Sequence, residues 1–292
     1  VPALLELTIN RRDPAATSEE KSFSTYKLMK QLFYLFIAIL FLGLSACNSA
    51  NKKKGETEEA AAGEEVAAAP NTLTEQEKED GWILMFDGKT TDGWRGYNKE
   101  AFPDSGWQID NGAMMCEHSG TGGAGFGGDI IYDKQFTNFD LKLEWMINTG
   151  GNAGIFFLAQ EVPGWEIWRT APEYRILDNF SDHPDNQLGV DGNRRAGSLY
   201  DLIPPDTLNA KGAMEWNTAE IYCYDGTVFF RQNGEKTLEF HLWTQEWNDM
   251  IAKSKFPEYN PDWADVAKTG YIGLQDHGCA VWFRNIKIKE LQ

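Results

Sequence analysis

The stretch at 269–288, TGYIGLQDHGCAVWFRNIKI, constrains the fold most, because it alternates with a period of two on both sides of a glycine turn. Tyr271, Gly273, Gln275 and His277 alternate with Ile272, Leu274 and Asp276. Beyond Gly278, Trp282, Arg284, Ile286 and Ile288 fall on one side, and Val281, Phe283 and Asn285 on the other. A helical period would scatter these residues around an axis, so the spacing predicts two strands joined by a tight connection. Gln275 and His277, two apart, form a polar pair suited to a pocket. An ordinary hairpin whose Gln and His bond the turn has the same pattern.

The rest of the chain repeats this grammar. Strands are expected at 82–86, 107–110, 113–117, 130–132, 139–147, 152–158, 173–178, 219–224 and 227–232. Asn111-Gly112 and Asp225-Gly226 mark two-residue hairpins, since both central positions of such turns require positive φ. Within 139–147, Leu141, Leu143, Trp145 and Ile147 share one face, with Lys142, Glu144 and Met146 on the other. Within 173–178, Tyr174, Ile176 and Asp178 read as the core side, which turns Glu173, Arg175 and Leu177 toward an exposed side. Residues 244–255 form the convincing helix, with Trp247, Ile251 and Met250 as its buried stripe. Short strands with one short helix late in the chain, rich in Trp, Phe, Tyr and Gly, predict an all-β fold: a sandwich of two antiparallel sheets.

The N-terminal segment reads differently. Met29-Lys30-Gln31, an apolar run at 32–44 and then Leu44-Ser45-Ala46-Cys47 have the form of a bacterial lipoprotein signal. Residues 1–28 are then an over-long gene assignment, 29–47 the signal peptide, and Cys47 the lipidation site. Residues 48–80 form a disordered tether, poor in aromatics, whose end at 72–80 is either more linker or a short helix begun by a Thr74–Glu77 capping box. The folded domain spans 81–292. The expected location is a lipid-anchored protein in the periplasm or outer membrane of a Gram-negative bacterium.

A formal charge of −17, from 27 Lys and Arg against 44 Asp and Glu, argues against a nucleic-acid partner, which needs a basic footprint. Beyond Cys47, the thiols Cys116, Cys223 and Cys279 are too few for a disulfide framework; two could pair, leaving one free. No cofactor is evident. The histidines His118, His183, His241 and His277 show no metal-ligand spacing, although scattered His and carboxylates could still assemble a divalent-metal site. The glycine-rich 119–128 lacks the Gly-Lys-Ser/Thr ending of a phosphate loop, and no Gly-x-Ser-x-Gly nucleophile elbow is present. Glu144, then Glu173 and Arg175, then Gln275 and His277 project from faces opposite the core. On one sheet they would supply a general base, an electrophile and hydrogen-bond donors; on separate sheets they would be solvated faces with surface ion pairs. Trp165 and Trp168 would suit the apolar face of a sugar, or ordinary packing.

The segments WILMFDGKTTDGW (82–94), FDLKLEWMINTGGNAGIFF (139–157), EYRILD (173–178), EWN (215–217) and GYIGLQDHGCAVWFRNIKIKEL (270–291) together resemble the 3-keto-disaccharide hydrolase family. The resemblance runs in order from Gly81 to Leu291. It implies a concanavalin A-like jelly roll acting on glycosides already oxidised at C3 by a partner sugar dehydrogenase. The family chemistry is a 1,2-elimination followed by hydration, which together amount to hydrolysis. That chemistry needs one base, an oxyanion stabiliser and a sugar platform. The facing of the strands offers His277, Glu144 or Glu173 as the base and Arg175 and Gln275 for the ketone oxygen, and Trp165 and Trp168 would serve as the platform. The third position of EYRILD, often Gln in relatives, is Arg175 here. Two other functions compete: a non-catalytic carbohydrate-binding lipoprotein, and a conventional glycoside hydrolase. The absence of a Glu-x-Asp-x-x-Glu strand counts against the latter.

Overall fold

The computed structural model describes residues 69–120, 125–182 and 188–292. The signal at 29–47, Cys47, the tether up to residue 68, the middle of the glycine-rich stretch and His183 lie outside the described residues. In chain order the elements are α1 (Glu75–Glu79), β1 (Trp82–Leu84), β2 (Trp94–Gly96), β3 (Trp107–Asp110), β4 (Ala113–Cys116), β5 (Ile130–Phe136), β6 (Phe139–Ile147), β7 (Asn152–Ala159) and β8 (Glu173–Leu177). There follow β9 (Asn217–Tyr224), β10 (Thr227–Gln232), β11 (Glu235–His241), α2 (Gln245–Ala252), β12 (Gly270–Leu274) and β13 (Val281–Glu290).

The strands make two antiparallel sheets. One, of eight strands, runs β11-β10-β9-β6-β13-β4-β3, with β1 also pairing β13; the other, of five, runs β2-β5-β12-β7-β8. Burial along β6 alternates residue by residue, as its sequence requires, with Leu141, Leu143, Trp145 and Ile147 inside. These side chains meet Ile155, Phe157, Tyr174, Ile176, Ile272 and Leu274 from the five-stranded sheet in one core. Each such fully buried apolar side chain contributes about 1.5–3 kcal/mol relative to its exposure in water. Both expected hairpin turns have positive φ at both central residues: 49° and 77° at Asn111-Gly112, 45° and 78° at Asp225-Gly226. A third, Asn233-Gly234 at 49° and 84°, turns β10 into β11. Reasoning from sequence missed β11, because its buried residues Thr237 and Leu238 are adjacent rather than alternating.

Two expectations about facing are corrected. On β13 the register shifts between Arg284 and Lys287, and Asn285 adopts φ 52°. This bulge returns Ile286 and Ile288 to the core side with Val281 and Phe283, so they do not share a face with Trp282 and Arg284. On β8 all five residues are buried, including Glu173 and Arg175. The outer face of the five-stranded sheet carries a second apolar cluster of Tyr97, Ile131, Phe156, Ala159, Ile167 and Ala171. Ile167 opens a 3₁₀ turn, Ile167–Arg169, and packs where Gly273 has no side chain; a Cβ there would lie 2.6 Å from Ile167 Cδ1.

The segment after α2 locks this cover. The helix is shorter than expected, and Thr244 caps it by accepting from Trp247 N. Trp247, Trp263 and Phe256 stack in series, with centroids 5.8 Å and 4.2 Å apart. Trp263 Nε1 then donates to Trp168 O at 3.0 Å, and Asn260 Nδ2 to Arg169 O at 2.9 Å. The free edge of β8 is occupied as well: Arg175 N donates to Ser198 O, Gly197 N to Arg175 O and Tyr200 N to Glu173 O. Cys116, Cys223 and Cys279 are all buried free thiols. Burial pushes the Cys279 thiol up to about 11 and Cys223 up to about 12.

Candidate active site

A cleft of about 270 Å³ opens on the outer face of the five-stranded sheet, where the covering segments leave a gap. Glu173 and Arg175 line it from β8, Gln275, Asp276 and His277 from the chain leaving β12, and Asp129 from the residue before β5. Trp168, Tyr200, Lys255 and Tyr259 form the wall contributed by the covering segments.

The floor is a missing side chain. Gly154 on β7 is the register partner of Arg175, and its carbonyl accepts from Gln275 N at 3.0 Å. A Cβ on Gly154 would come within 2.4 Å of Glu173 Oε1. Glycine at this one position therefore lets Glu173 lie across β7 with Arg175 and Gln275 on either side.

Glu173 and Arg175 are 4% and 3% exposed, and Arg175 Nη1 donates to Glu173 Oε1 at 3.3 Å. Burial pushes the Glu173 carboxyl up to about 7, against the opposing pull of Arg175. Arg175 Nε and Gln275 Oε1 are buried without a hydrogen-bond partner. Leaving such a group unpaired costs about 1–3 kcal/mol, so a bound polar molecule has two groups here to satisfy. The Arg175 guanidinium also lies 4.6 Å from the Tyr200 ring centroid.

On the opposite side, burial pushes the half-buried Asp129 carboxyl up to about 7, opposed by the N–H of Asp276, with Asp276, Glu173 and Glu166 adding negative charge nearby. Asp276 N donates to Asp129 Oδ1 at 2.9 Å. Asp276 is itself a scaffold: its carboxylate accepts from Gly127 N, Gly128 N and Gly278 N at 3.2, 2.9 and 3.0 Å. This ties the end of the glycine-rich stretch to the rim. The sequence pattern had put Asp276 on the apolar side of its strand; β12 ends at Leu274, and the alternation ends with it.

Of the residues singled out from sequence, Glu173, Arg175, Gln275, His277 and Trp168 come together in this cleft. Trp165 is half-buried beside it, 6.0 Å from the Arg169 guanidinium that also covers Trp168 at 5.1 Å. Glu144 is placed elsewhere. It points from β6, in the eight-stranded sheet, away from the core, where Arg284 Nε and Nη2 each approach Oε2 to 2.7 Å and Asn285 Nδ2 donates to Oε1 at 2.6 Å. The expectation that it shares a face with Glu173 is corrected, because faces opposite a common core point away from each other. Glu144 borders a different cleft of about 330 Å³ under the N-terminal arm, lined by charges that largely pair among themselves. Asp129, Tyr200 and Lys255 were missed by sequence reasoning. All three lie outside the strands, and Lys255 falls at the end of the segment expected to be helical, beyond where α2 stops. Among the described residues, no three His, Cys, Asp or Glu side chains converge as metal ligands would.

Fold and site together define a concanavalin A-like β-sandwich with a charged, sugar-ring-sized cleft on the outer face of one sheet. The chain belongs to the family described as the 3-keto-alpha-glucoside-1,2-lyase-like domain, which it matches over residues 81–289. It is 43% identical over 291 residues to a 3-keto-disaccharide hydrolase of Bacteroides thetaiotaomicron, covering 90% of this chain and 100% of the relative. A crystal structure of a candidate glycosyl hydrolase from Parabacteroides distasonis superposes with a TM-score of 0.67 at 31% identity, covering 77% of this chain and 100% of that one. A second from the same organism, at 22% identity and TM-score 0.55 over 72% of this chain and 99% of the other, shares the fold.

Proposed function

We propose that the protein cleaves 3-keto-disaccharides by base-catalysed elimination followed by addition of water. Family membership makes the chain an enzyme of hydrolase or lyase type, and the Bacteroides relative is named for hydrolysis of 3-keto-disaccharides. The observation that carries the mechanism is the grouping of Glu173, Arg175 Nε and Gln275 around the Gly154 floor. A C3 ketone acidifies the proton on C2. Glu173, whose carboxyl is held near neutrality, takes that proton, and the electron pair moves onto the C3 oxygen. Arg175 Nε and the Gln275 amide, which can present its N–H₂ end, stabilise the resulting enolate. The electrons return to re-form the ketone, a C1–C2 double bond forms, and the C1–O bond to the aglycone breaks. His277 and Asp129 face the same space, and Trp168 offers an apolar surface to the ring. Paired carboxylates at the separation of an ordinary glycosidase are not required.

In the same proposal the protein is an exported lipoprotein anchored through Cys47 in the periplasm or outer membrane. It acts after a sugar 3-dehydrogenase that supplies the ketone. The anchor rests on the sequence at 29–47, and Cys47→Ser would abolish membrane partitioning. The function is tested by incubating the protein with a 3-keto-disaccharide and with its unoxidised parent. Turnover restricted to the ketone is expected. Binding without turnover would mark a carbohydrate-binding protein, and turnover of the parent a conventional glycosidase.

A further inference from the structure

Elimination leaves one requirement unmet by Glu173, Arg175 and Gln275: the aglycone oxygen departs with the electron pair of the C1–O bond. A sugar alkoxide is a poor leaving group, and a donor at that oxygen lowers the barrier by general acid catalysis. Tyr200, on the cleft wall, has the geometry of such a donor. Its backbone N–H is bonded to Glu173 O, which seats it beside the Glu173–Arg175 pair. Lys255 Nζ donates to Tyr200 Oη at 3.1 Å. An ammonium has only protons to give, so Oη is the acceptor in this contact and the hydroxyl hydrogen is left for another partner. Among the described residues nothing accepts it.

Three cations stand around this side chain. Lys255 lies 4.5 Å from the Tyr200 ring centroid, Arg175 4.6 Å and Arg194 5.7 Å. Lys255 is fixed as a cation by Asp201 Oδ2 at 2.9 Å, and Arg194 Nε reaches Asp201 Oδ1 at 2.6 Å. Burial works against the Lys255 charge, but its bonds to Asp201 and Tyr200 outweigh burial and raise its pKa. The phenol is thus ringed by three cations, two of them tied to a single carboxylate that does not itself line the cleft.

We propose that Tyr200 is the general acid that protonates the departing aglycone, held in place by Lys255 as a positioning residue. The inference rests on the elimination reading above. As Glu173 removes the C2 proton and the C1–O bond breaks, the Tyr200 hydroxyl proton passes to the aglycone oxygen, leaving tyrosinate. In the return half, water adds to C1 and gives one proton to the tyrosinate, while Glu173 returns its proton to C2. The products are the free aglycone alcohol and the 3-keto sugar, and both residues are restored. Hydration is then elimination run backwards with water in the place of the aglycone, and one site performs both.

The test uses the full chain and two substrates of opposite leaving-group quality, a 3-keto-disaccharide and 4-nitrophenyl 3-keto-glucoside. Nitrophenolate needs no proton to depart. For Tyr200→Phe, the single-turnover rate of aglycone release from the disaccharide should fall by about 10²-fold or more, and at least ten times further than nitrophenolate release from the nitrophenyl substrate. Lys255→Met should show the same leaving-group bias and carries the test should Tyr200→Phe not fold, with thermal melting as the check. Equal losses on both substrates, or no loss on either, would overturn the acid role. So would a leaving-group bias that appears in Asp129→Asn and is absent from Tyr200→Phe. A wild-type protein inactive on both ketones would instead remove the elimination reading itself.

Discussion

Arg175 lies two residues beyond Glu173 on one face of β8, and its Nη1 sits 3.3 Å from Glu173 Oε1 with both side chains buried. The guanidinium pulls the carboxyl toward ionisation and burial pushes it the other way; burial wins, and Glu173 is held near neutrality. The base is therefore half-titrated close to pH 7 and ready to take a proton from an acidified carbon.

Glu173→Gln should lower kcat on a 3-keto-disaccharide by about 10²–10⁴-fold without loss of the fold. In the wild type, kcat/KM should rise with pH through about 7 as Glu173 ionises. Arg175→Met removes the opposing positive charge, so the same limb should move to higher pH. A pH–rate profile of each protein checks both, and a limb unmoved in Arg175→Met would show that another group is the base.

Gly154→Ala places a methyl group 2.4 Å from Glu173 Oε1, in a site closed by β8 and β12. The carboxyl must move or the strands must part. Overpacking of this kind costs about 1–3 kcal/mol. A lowered Tm together with a kcat loss that exceeds any change in KM is expected from melting curves and steady-state kinetics.

Stability should depend on pH through the same carboxyls. Glu173 and Asp129 are both raised to about 7 from ordinary values of 4.5 and 3.8. A raised carboxyl binds its proton more tightly in the folded state, so its stabilising effect is complete below the unfolded value and is lost as pH rises through the folded one. Between pH 5 and pH 8 the wild type should therefore lose Tm, and a Glu173→Gln/Asp129→Asn double variant should lose less. Calorimetry at the two pH values measures the difference.

Glu144→Gln should leave kcat within about threefold of wild type, since Glu144 stands on the other sheet with Arg284 and Asn285. Removing a half-exposed ion pair of this kind costs at most about 1 kcal/mol. A kcat loss approaching that of Glu173→Gln would contradict the separation of the two sheets' outer faces.

Much of this molecule is legible in the order of its residues. The faces of β6 follow from Leu141, Leu143, Trp145 and Ile147 at spacing two, because successive side chains on any strand point to opposite sides. The turns at Asn111-Gly112 and Asp225-Gly226 follow from the residues that tolerate positive φ. The shared face of Glu173 and Arg175 follows from the same spacing, whereas Gln275 and His277, beyond the end of β12, join them in one cleft through the order of the sheet.

What period two leaves open is which strand lies next to which, and that the tertiary structure alone decided. Glu144 and Glu173 have equivalent positions on their own strands, yet β6 belongs to one sheet and β8 to the other, so their carboxylates face opposite sides of the sandwich. The bulge at Asn285 answers the register of β6 across it, a partner more than a hundred residues away in the chain. Tyr200 and Lys255 reach the cleft only because the edge of β8 pairs with one loop and the stacked rings of Trp247, Trp263 and Phe256 fix another. A side chain's alternation is set by the geometry of its own backbone, whereas sheet order and loop placement are set by burial and pairing between distant segments, and only the folded chain brings those into contact.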